Sequence, residues 1–297
     1  MPLHSRGNAE SDEAIRAAAE VIAGAGALLI TAGAGMGVDS GLPDFRGPEG
    51  FWRAYPAYRQ AGFSFMDMAN AGQFLRDPAL AWGFYGHRLA LYRTTVPHAG
   101  FAILRRWAER APGGGVVFTS NVDGQFQRAD FDAECITEVH GSIHHAQCLR
   151  SCGVGVFPAD GFELEVDPAT MRAVGELPRC PACGALSRPN ILMFGDGAWD
   201  HRRTAAQEAC LTRWLGALGS GSLAVIELGA GSAIPTVRYF SEDAAERHGG
   251  RLVRINPREA DVPPGGVGLP TGALAGLRAI DALLLDHFEK IAPVSKR

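Results

Sequence analysis

Ala27-Leu28-Leu29-Ile30 runs through Gly33-Ala34-Gly35-Met36-Gly37 to Ser40-Gly41-Leu42-Pro43-Asp44-Phe45-Arg46-Gly47, and the reading of the fold turns on this stretch. A short apolar strand that passes into small residues and then a helix start lets backbone N–H groups approach a phosphate, as dinucleotide sites require. The glycines alone are weak evidence. Gly33-x-Gly35-x-Gly37 lacks the G-x-G-x-x-G spacing, since Val38 occupies the third position. No acidic residue follows about 20 positions on at the end of a second strand, which disfavours an ordinary dehydrogenase.

Outward from this stretch, helical and strand periodicities alternate. Ser11–Ala25 reads as a helix before the strand Ala27–Thr31, and Pro97–Ala111 as a helix before the strand Val116–Thr119. Further strands are expected at Ile136–Val139, Leu223–Leu228 and Leu252–Ile255, with a helix beginning near Ile234 between the last two. The predicted class is therefore α/β: a Rossmann-like, doubly wound parallel sheet. Two segments break the alternation, an aromatic-rich one at 51–92 and a Cys-, Gly- and Pro-rich one at 144–189. They are expected to form a smaller lobe, a helical insertion plus a zinc module, beside a discontinuous nucleotide-binding domain of residues 12–50, 93–143 and 190–290. Pro263-Pro264-Gly265-Gly266 reads as a surface loop.

The 297 residues carry a net charge of −4, from 28 basic and 32 acidic side chains, with no long basic run. Nucleic acid is not an expected partner. Val21–Val38 is uncharged for eighteen positions, but ten of these are Gly or Ala, and Glu10, Asp12, Glu13 and Glu20 precede them. A buried helix end, turn and strand account for it better than a membrane span or signal core.

Cys148-x-x-x-Cys152 and Cys180-x-x-Cys183 are separated by 27 residues, the second pair lying in the turn-like Cys180-Pro181-Ala182-Cys183-Gly184. Two such pairs suit a tetrahedral structural Zn²⁺ in a reducing compartment, which points to the cytoplasm; the alternative is a chance pairing of reduced thiols. His144 and His145 are either substitute ligands or solvated loop histidines. Cys135 and Cys210 lie in apolar contexts and are expected to be buried packing residues.

Taken in order, these motifs resemble the sirtuin family of NAD-dependent protein-lysine deacylases, over about residues 12–290. Gly33-Ala34-Gly35-Met36 with Asp44-Phe45-Arg46 is similar to the family's pyrophosphate and cofactor-loop motif. Thr119-Ser120-Asn121-Val122-Asp123 resembles its nicotinamide and ribose motif, and Glu138-Val139-His140-Gly141-Ser142-Ile143 its catalytic-histidine motif. Arg188-Pro189-Asn190-Ile191-Leu192-Met193-Phe194-Gly195-Asp196 resembles the strand that pairs with substrate peptide. Gly229-Ala230-Gly231-Ser232 and Asn256 resemble contacts to the adenosine half.

The resemblance implies NAD as cosubstrate, one structural zinc on Cys148, Cys152, Cys180 and Cys183, and acylated lysine in proteins or peptides as substrate. His140 is the implied base toward a ribose hydroxyl, which an imidazole of ordinary pKa near ~6.5 suits. Asn121 positions the ribose or a water, Ser120 lies beside it, and Asp123 accepts from the nicotinamide carboxamide. The implied products are free lysine, nicotinamide and O-acyl-ADP-ribose. Considered in isolation, His140 also fits a core histidine, and Asp123 with Asn121 a turn before Gly124.

Tyr85 and Arg88, three apart in Trp82-Gly83-Phe84-Tyr85-Gly86-His87-Arg88, share a face if this stretch is helical. A phenol and a guanidinium there can grip a carboxylate. The pair resembles that of sirtuins acting on succinyl-, malonyl- or glutaryl-lysine; the alternative is a packing aromatic beside a solvated arginine.

The chain departs from the family pattern at Ala32, Gly37, Ser120 and Ala230, where Thr, Ser, Gln and Thr are usual, and its zinc loop is longer. Each departure loses or shortens a polar group, at about 0.5–1.5 kcal/mol per hydrogen bond. Two further readings therefore stand beside the deacylase: an NAD glycohydrolase or ADP-ribosyltransferase using the same pocket, and a non-catalytic NAD-sensing zinc protein. A peptide gripped through its backbone leaves target identity unspecified, and no motif specifies an oligomeric state, while His140 argues for catalysis.

Overall fold

Every residue of the strand Ala27–Ala32 is buried, as expected of an apolar run in a sheet covered on both faces. The computed structural model that shows this describes residues 3–43, 47–219 and 221–291. In chain order the described strands are β1 (Ala27–Ala32), β2 (Gly115–Thr119), β3 (Ile136–Glu138), β4 (Gly141–Cys148), β5 (Val156–Pro158), β6 (Glu165–Asp167), β7 (Arg172–Val174), β8 (Ser187–Ile191), β9 (Leu223–Leu228), β10 (Arg251–Ile255) and β11 (Val267–Leu269).

Six of them form one sheet in the order β11-β10-β9-β1-β2-β3. The pairs β1–β9, β9–β10 and β10–β11 are parallel. From β1 the chain proceeds toward β2 and β3, whereas from β9 it proceeds toward β10 and β11. The strand order thus reverses between β1 and β9, and in doubly wound sheets the crevice beyond the strand C-termini at that reversal is where ligands bind.

The chain forms two compact units, one from the segments up to Asp39, His98–Phe118 and from Arg213 onward, the other from Ser40–Pro97 and Thr119–Thr212. In the first unit, helix Ala273–Ile291 packs against helices Leu3–Ala23 and Ala99–Arg110, while helix Thr236–Arg247 covers β9 and β10. Asp281 ties two of these helices together, accepting from Arg106 Nη2 at 2.5 Å and Trp107 Nε1 at 2.9 Å. Arg254 and Glu227 are cross-strand neighbours on β10 and β9. Both are buried, and the guanidinium meets the carboxylate through two bonds of 2.6 and 2.9 Å, with Glu242 accepting a third at 2.7 Å. A buried pair satisfied this fully tolerates the low dielectric around it, whereas loss of either partner leaves an uncompensated charge.

In the second unit, β5-β4-β8 form an antiparallel sheet and β6-β7 a two-stranded ribbon. Both segments that break the sequence alternation fall in this unit. Helix Pro78–Thr94 starts on a Pro at its first turn, with the Asp77 carboxylate accepting from Leu80 N–H as its cap. It packs against β7 and lays Phe84 into a cluster with Phe51, Tyr55 and Tyr58, ring centres 5.4–6.1 Å apart. Rings at these spacings add edge-to-face attraction to the burial of apolar area.

The structure departs from the sequence expectation at the first helix, which spans Leu3–Ala23 where Ser11–Ala25 is expected, and at β11. The helix start expected after β1 takes the form of a 3₁₀ helix, Ala34–Ser40. The Met36 N–H bonds back to Gly33 C=O, and the Gly35 N–H is taken by Gly229 C=O at 3.0 Å. β11 follows directly on the Pro263–Gly266 loop; three residues around a central glycine carry no legible strand pattern.

At the sheet reversal, the turns after β1 and β9 touch backbone to backbone. A Cβ on Gly33 would lie 2.8 Å from Ala230 Cα; one on Gly229, whose φ is +59°, would lie 2.4 Å from Gly35 Cα. Gly229→Ala therefore combines a left-handed backbone penalty with a clash against main chain. We expect a loss of at least ~2 kcal/mol, read as a fall of roughly 5 °C or more in the thermal unfolding midpoint; an unchanged midpoint would contradict this contact.

Candidate active site

Each unit gathers its own share of the predicted site residues. In the first, Gly33, Ala34, Gly35 and Met36 adjoin Gly229, Ala230, Gly231 and Ser232. Gly33 N–H donates to Leu228 C=O at 2.9 Å, and Gly229 N–H to Ile255 C=O at 3.0 Å. Asn256, fully buried, donates from Nδ2 to Ala230 C=O at 2.8 Å, while its Oδ1 accepts from the Arg258 and Glu259 N–H groups. Its side chain thus braces the Gly229–Ser232 turn. Ala34 is exposed on an otherwise buried turn at the end of β1, and Ser232 is exposed beyond the buried Gly229 and Ala230 at the end of β9.

Two residues that the motifs do not name support this arrangement. His98 Nε2 meets Met36 C=O at 2.9 Å, and Glu259 accepts from Ser232 N–H and Oγ–H at 2.8 and 2.9 Å. Only the spacing of Glu259, three residues after Asn256, hints at it in the sequence. Asp44, Phe45 and Arg46 lie outside the described residues.

In the second unit, the loop after β2 meets the loop after β3. The Val139 N–H donates to Thr119 C=O at 2.9 Å, and the half-buried His140 imidazole hydrogen-bonds the Ser120 backbone. Burial lowers the His140 pKa from its ordinary value despite that bond, so the ring is neutral at pH 7. Asn121 N–H donates to Thr119 Oγ1 at 3.0 Å. Asp123 is buried and accepts from the Gln125 N–H through Oδ1 at 2.9 Å, so one oxygen closes the turn before Gly124. Burial, reinforced by the Glu138 carboxylate, pushes its carboxyl up to about 6 despite the Gln125 N–H and the Arg88 charge. Gly141 follows His140 at φ +77°, where a Cβ would lie 2.0 Å from Asn190 C=O. A side chain there would part β4 from β8.

The expected peptide-binding segment divides by role. Asn190 and Ile191 belong to β8 and are buried; Asn190 Nδ2 donates to Gln147 Oε1 and Asp200 C=O at 3.0 and 2.8 Å. Met193 is buried, Phe194 half-buried edge-on to Phe65, and Gly195 exposed. Leu192 N–H donates to His140 C=O and Phe194 N–H to Ala69 C=O, both at 2.9 Å. Arg188 and Asp196 close this loop with a bidentate, buried pair at 2.7 and 2.8 Å.

Tyr85 and Arg88 both lie buried on helix Pro78–Thr94. Arg88 donates from Nε and Nη2 to Tyr92 Oη at 2.9 and 2.7 Å, and its guanidinium sits 5.1 Å from the Phe84 ring centre and 5.8 Å from that of Tyr85. The solvated-arginine alternative is excluded by this burial. Tyr92, one turn beyond Arg88, is the member that motif reading missed. Burial raises the Tyr85 phenol to about 12, so it remains a neutral donor.

The four cysteine sulfurs converge within 4.8 Å of one another, with Cys148–Cys183 and Cys152–Cys180 at 3.6 Å. A tetrahedron of Zn–S bonds near 2.3 Å places sulfurs about 3.8 Å apart, so the donor set fits one zinc and leaves no ligand position for chemistry. The Arg150 N–H donates to Cys148 Sγ at 3.3 Å, as a thiolate ligand requires. His144 and His145 belong to β4 and not to this cluster. Cys135 and Cys210 are only half-buried, short of the packed positions their apolar neighbours suggested.

A family model for the Sir2 family matches residues 33–226. The chain belongs to the Sir2 family. Among curated proteins, this Sir2 chain is 30% identical over 246 residues to NAD-dependent protein deacylase 2 of Pyrobaculum aerophilum, covering 83% of this chain and 86% of that one. It is 31% identical to NAD-dependent protein deacylase 1 of Pseudomonas aeruginosa, covering 82% and 88%. The NAD-dependent protein deacylase sirtuin-5, mitochondrial, of Danio rerio is 34% identical over 57% of each chain. A solved Sir2 homologue in an ADP-ribose complex shares the fold at a TM-score of 0.68 and 24% identity, over 94% of this chain and 98% of that one.

The convergence of sulfurs predicts one bound zinc per Sir2 chain, measured by metal analysis of the purified protein. Cys180→Ser should lose that zinc and unfold at a markedly lower temperature, because metal binding is folding free energy. Full zinc retention in this variant would refute four-cysteine ligation.

Proposed function

We propose that this chain is an NAD-dependent protein-lysine deacylase in which His140 is the base, Asn121 positions the ribose, and Asp123 receives the nicotinamide carboxamide. The observation that carries this reading is the neutral His140 imidazole held on the Ser120 backbone, in the unit that also buries Asp123. The named deacylase relatives and the family membership support it. So does the first unit, where the exposed Ala34 on the glycine turn after β1 suits close approach of a pyrophosphate and Asn256 fixes the adenosine-side turn.

NAD, when bound, supplies a ribose carbon open to attack by the acyl amide oxygen, with nicotinamide as leaving group. The protein's part is positioning and proton transfer. A neutral His140 accepts the ribose hydroxyl proton without first having to lose one of its own. The Asp123 carboxylate, ionised above about 6, accepts from a carboxamide N–H with one oxygen while the other closes its turn. Leu192, Met193, Phe194 and Gly195 form the segment that peptide backbone would extend, a mode that reads little side-chain identity.

Within this reading, Tyr85 and Arg88 select acyl groups ending in a carboxylate. Arg88 is a desolvated cation held by a phenol and ring faces, and an incoming carboxylate pairs with such a cation more strongly than in water. Reduced cysteines and the absence of a helix long and apolar enough to cross a membrane, among the described residues, fit a cytoplasmic site of action.

Incubation with NAD and acetyl-, succinyl- or unmodified lysine peptides, followed by mass spectrometry, should show nicotinamide release only with acylated peptide. His140→Ala should lower the rate by roughly 10²–10⁴-fold. Release without any peptide would instead identify a glycohydrolase. The rate should fall on the acid side, because protonation of His140 below pH ~6.5 removes the base and protonation of Asp123 near 6 removes the charged acceptor.

Tyr85→Phe with Arg88→Met should abolish succinyl-lysine turnover selectively. An equal loss on acetyl-lysine would count against carboxylate recognition.

A further inference from the structure

Within the second unit, a cleft of about 700 Å³ lies between β4, residues 124–134 and helix Arg202–Gly216. Its size is that of a small-molecule site. None of the residues assigned above to NAD, acyl-lysine or zinc lines it.

The polar floor of the cleft is incompletely satisfied. Arg203 Nη2 donates to Glu138 Oε2 at 2.5 Å, but Arg203 Nη1 is buried without a hydrogen-bond partner among the described residues. His145 Nδ1, also lining the cleft, is buried and equally without one. Burial and the Arg203 charge push the His145 pKa down to about 4, so the neutral ring has one N–H to give. A buried donor such as Arg203 Nη1 left without an acceptor costs roughly 1–3 kcal/mol, and one oxygen bound there would meet it together with His145 in its Nδ1–H tautomer.

Charge around the floor is mixed: the buried Glu138 carboxylate meets Arg203 through one oxygen, and its Oε1 is without a hydrogen-bond partner among the described residues. Arg93 and Arg128 line the cleft, and neither forms an ion pair among the described residues: Arg93 donates to the carbonyls of Phe162 and Ala159, and Arg128 Nε to that of Thr95. The acids of the lining, Glu134 and Asp160, are exposed at the rim, where solvent weakens their fields, although the Asp160 charge still reaches His145.

The same side chains reach the catalytic segments. His144 Nε2, at the cleft, meets Asp123 C=O at 3.0 Å. Gln207 Oε1 accepts from Glu138 N–H at 3.2 Å, two residues before His140.

We propose that this cleft binds a small phosphate- or carboxylate-bearing molecule through Arg203, His145 and Arg128, and that its occupant bears directly on the segments carrying Asp123 and His140. Only the consequence for catalysis rests on the deacylase reading; the binding does not.

The test is an NMR titration with inorganic phosphate, and in a parallel arm with citrate, at fixed pH and constant ionic strength set with chloride. The imidazole signals of His145, assigned by their disappearance in His145→Phe, should shift saturably, and the Gly124 and Val139 amides should move with the same midpoint. Whichever arm has the lower midpoint identifies the head group. Arg128→Gln, a change at an exposed position, and Arg203→Lys, which keeps a charge for Glu138, should each weaken binding about tenfold.

A linear, non-saturating drift in both arms, or an unchanged midpoint in both variants, would overturn the proposal and leave the floor donors to water. Nicotinamide release is not read in this experiment, so its outcome is independent of that of the deacylase assay.

Discussion

The main-chain contact between the turns after β1 and β9 is the constraint on which the dinucleotide half of the molecule depends. Parallel strands diverge in their connections where the order reverses, and the crevice that opens there is lined by whatever the two turns present. Here they present backbone, because Gly33 and Gly229 sit too close to Ala230 and Gly35 to carry side chains. Asn256 on the adjoining strand end and Glu259 beyond it then lock the second turn by hydrogen bonds. The departures at Ala32, Gly37 and Ala230 fall in this region, and all three residues are buried. Small apolar side chains at buried positions forgo hydrogen bonds without leaving unsatisfied polar atoms, so the turn geometry is retained while polar contact to a ligand is reduced.

The second unit solves a different problem. Short strands and small helices hold little apolar area apiece, so its order comes from the aromatic cluster around Phe84, the cysteine tetrad and ion pairs that close loops. The Arg188–Asp196 pair fixes the loop that carries Met193 and Phe194, while Gly141 lets β4 leave His140 in tight register with β8. His140 is thus held by neighbours on both sides, its ring on Ser120 and its carbonyl on Leu192.

What the sequence made legible follows from the range of the forces involved. β1, β2, β9 and β10 could be read because buried parallel strands are uninterrupted apolar runs, and the cysteine tetrad because metal ligation fixes residue type and local spacing. The helix start after β1 is legible in its small residues, but its 3₁₀ form at Ala34–Ser40 is not, because the Gly35 N–H bonds Gly229 C=O, a partner far away in sequence. β11 was missed because three residues carry no periodicity. Arg254–Glu227 and Arg203–Glu138 join residues 27 and 65 positions apart, and nothing local to either member announces its partner. Tyr92 was within reach of sequence reasoning, one helical turn from Arg88, but a phenol is not the acceptor expected beside a guanidinium.

The guanidiniums of the second unit sort by how completely they are met, and that ordering separates architecture from recognition. Arg188 has a bidentate carboxylate and is spent on the fold. Arg88 donates twice to the Tyr92 hydroxyl and lies against ring faces on its own helix. Arg203 has one carboxylate bond and one buried nitrogen with none. Because the cost of burying a cation is set by what compensates it, a protein retains an incompletely compensated one only where rigid surroundings enforce it. Arg203 is such a position, and an incoming anion gains most there, in the cleft behind β4.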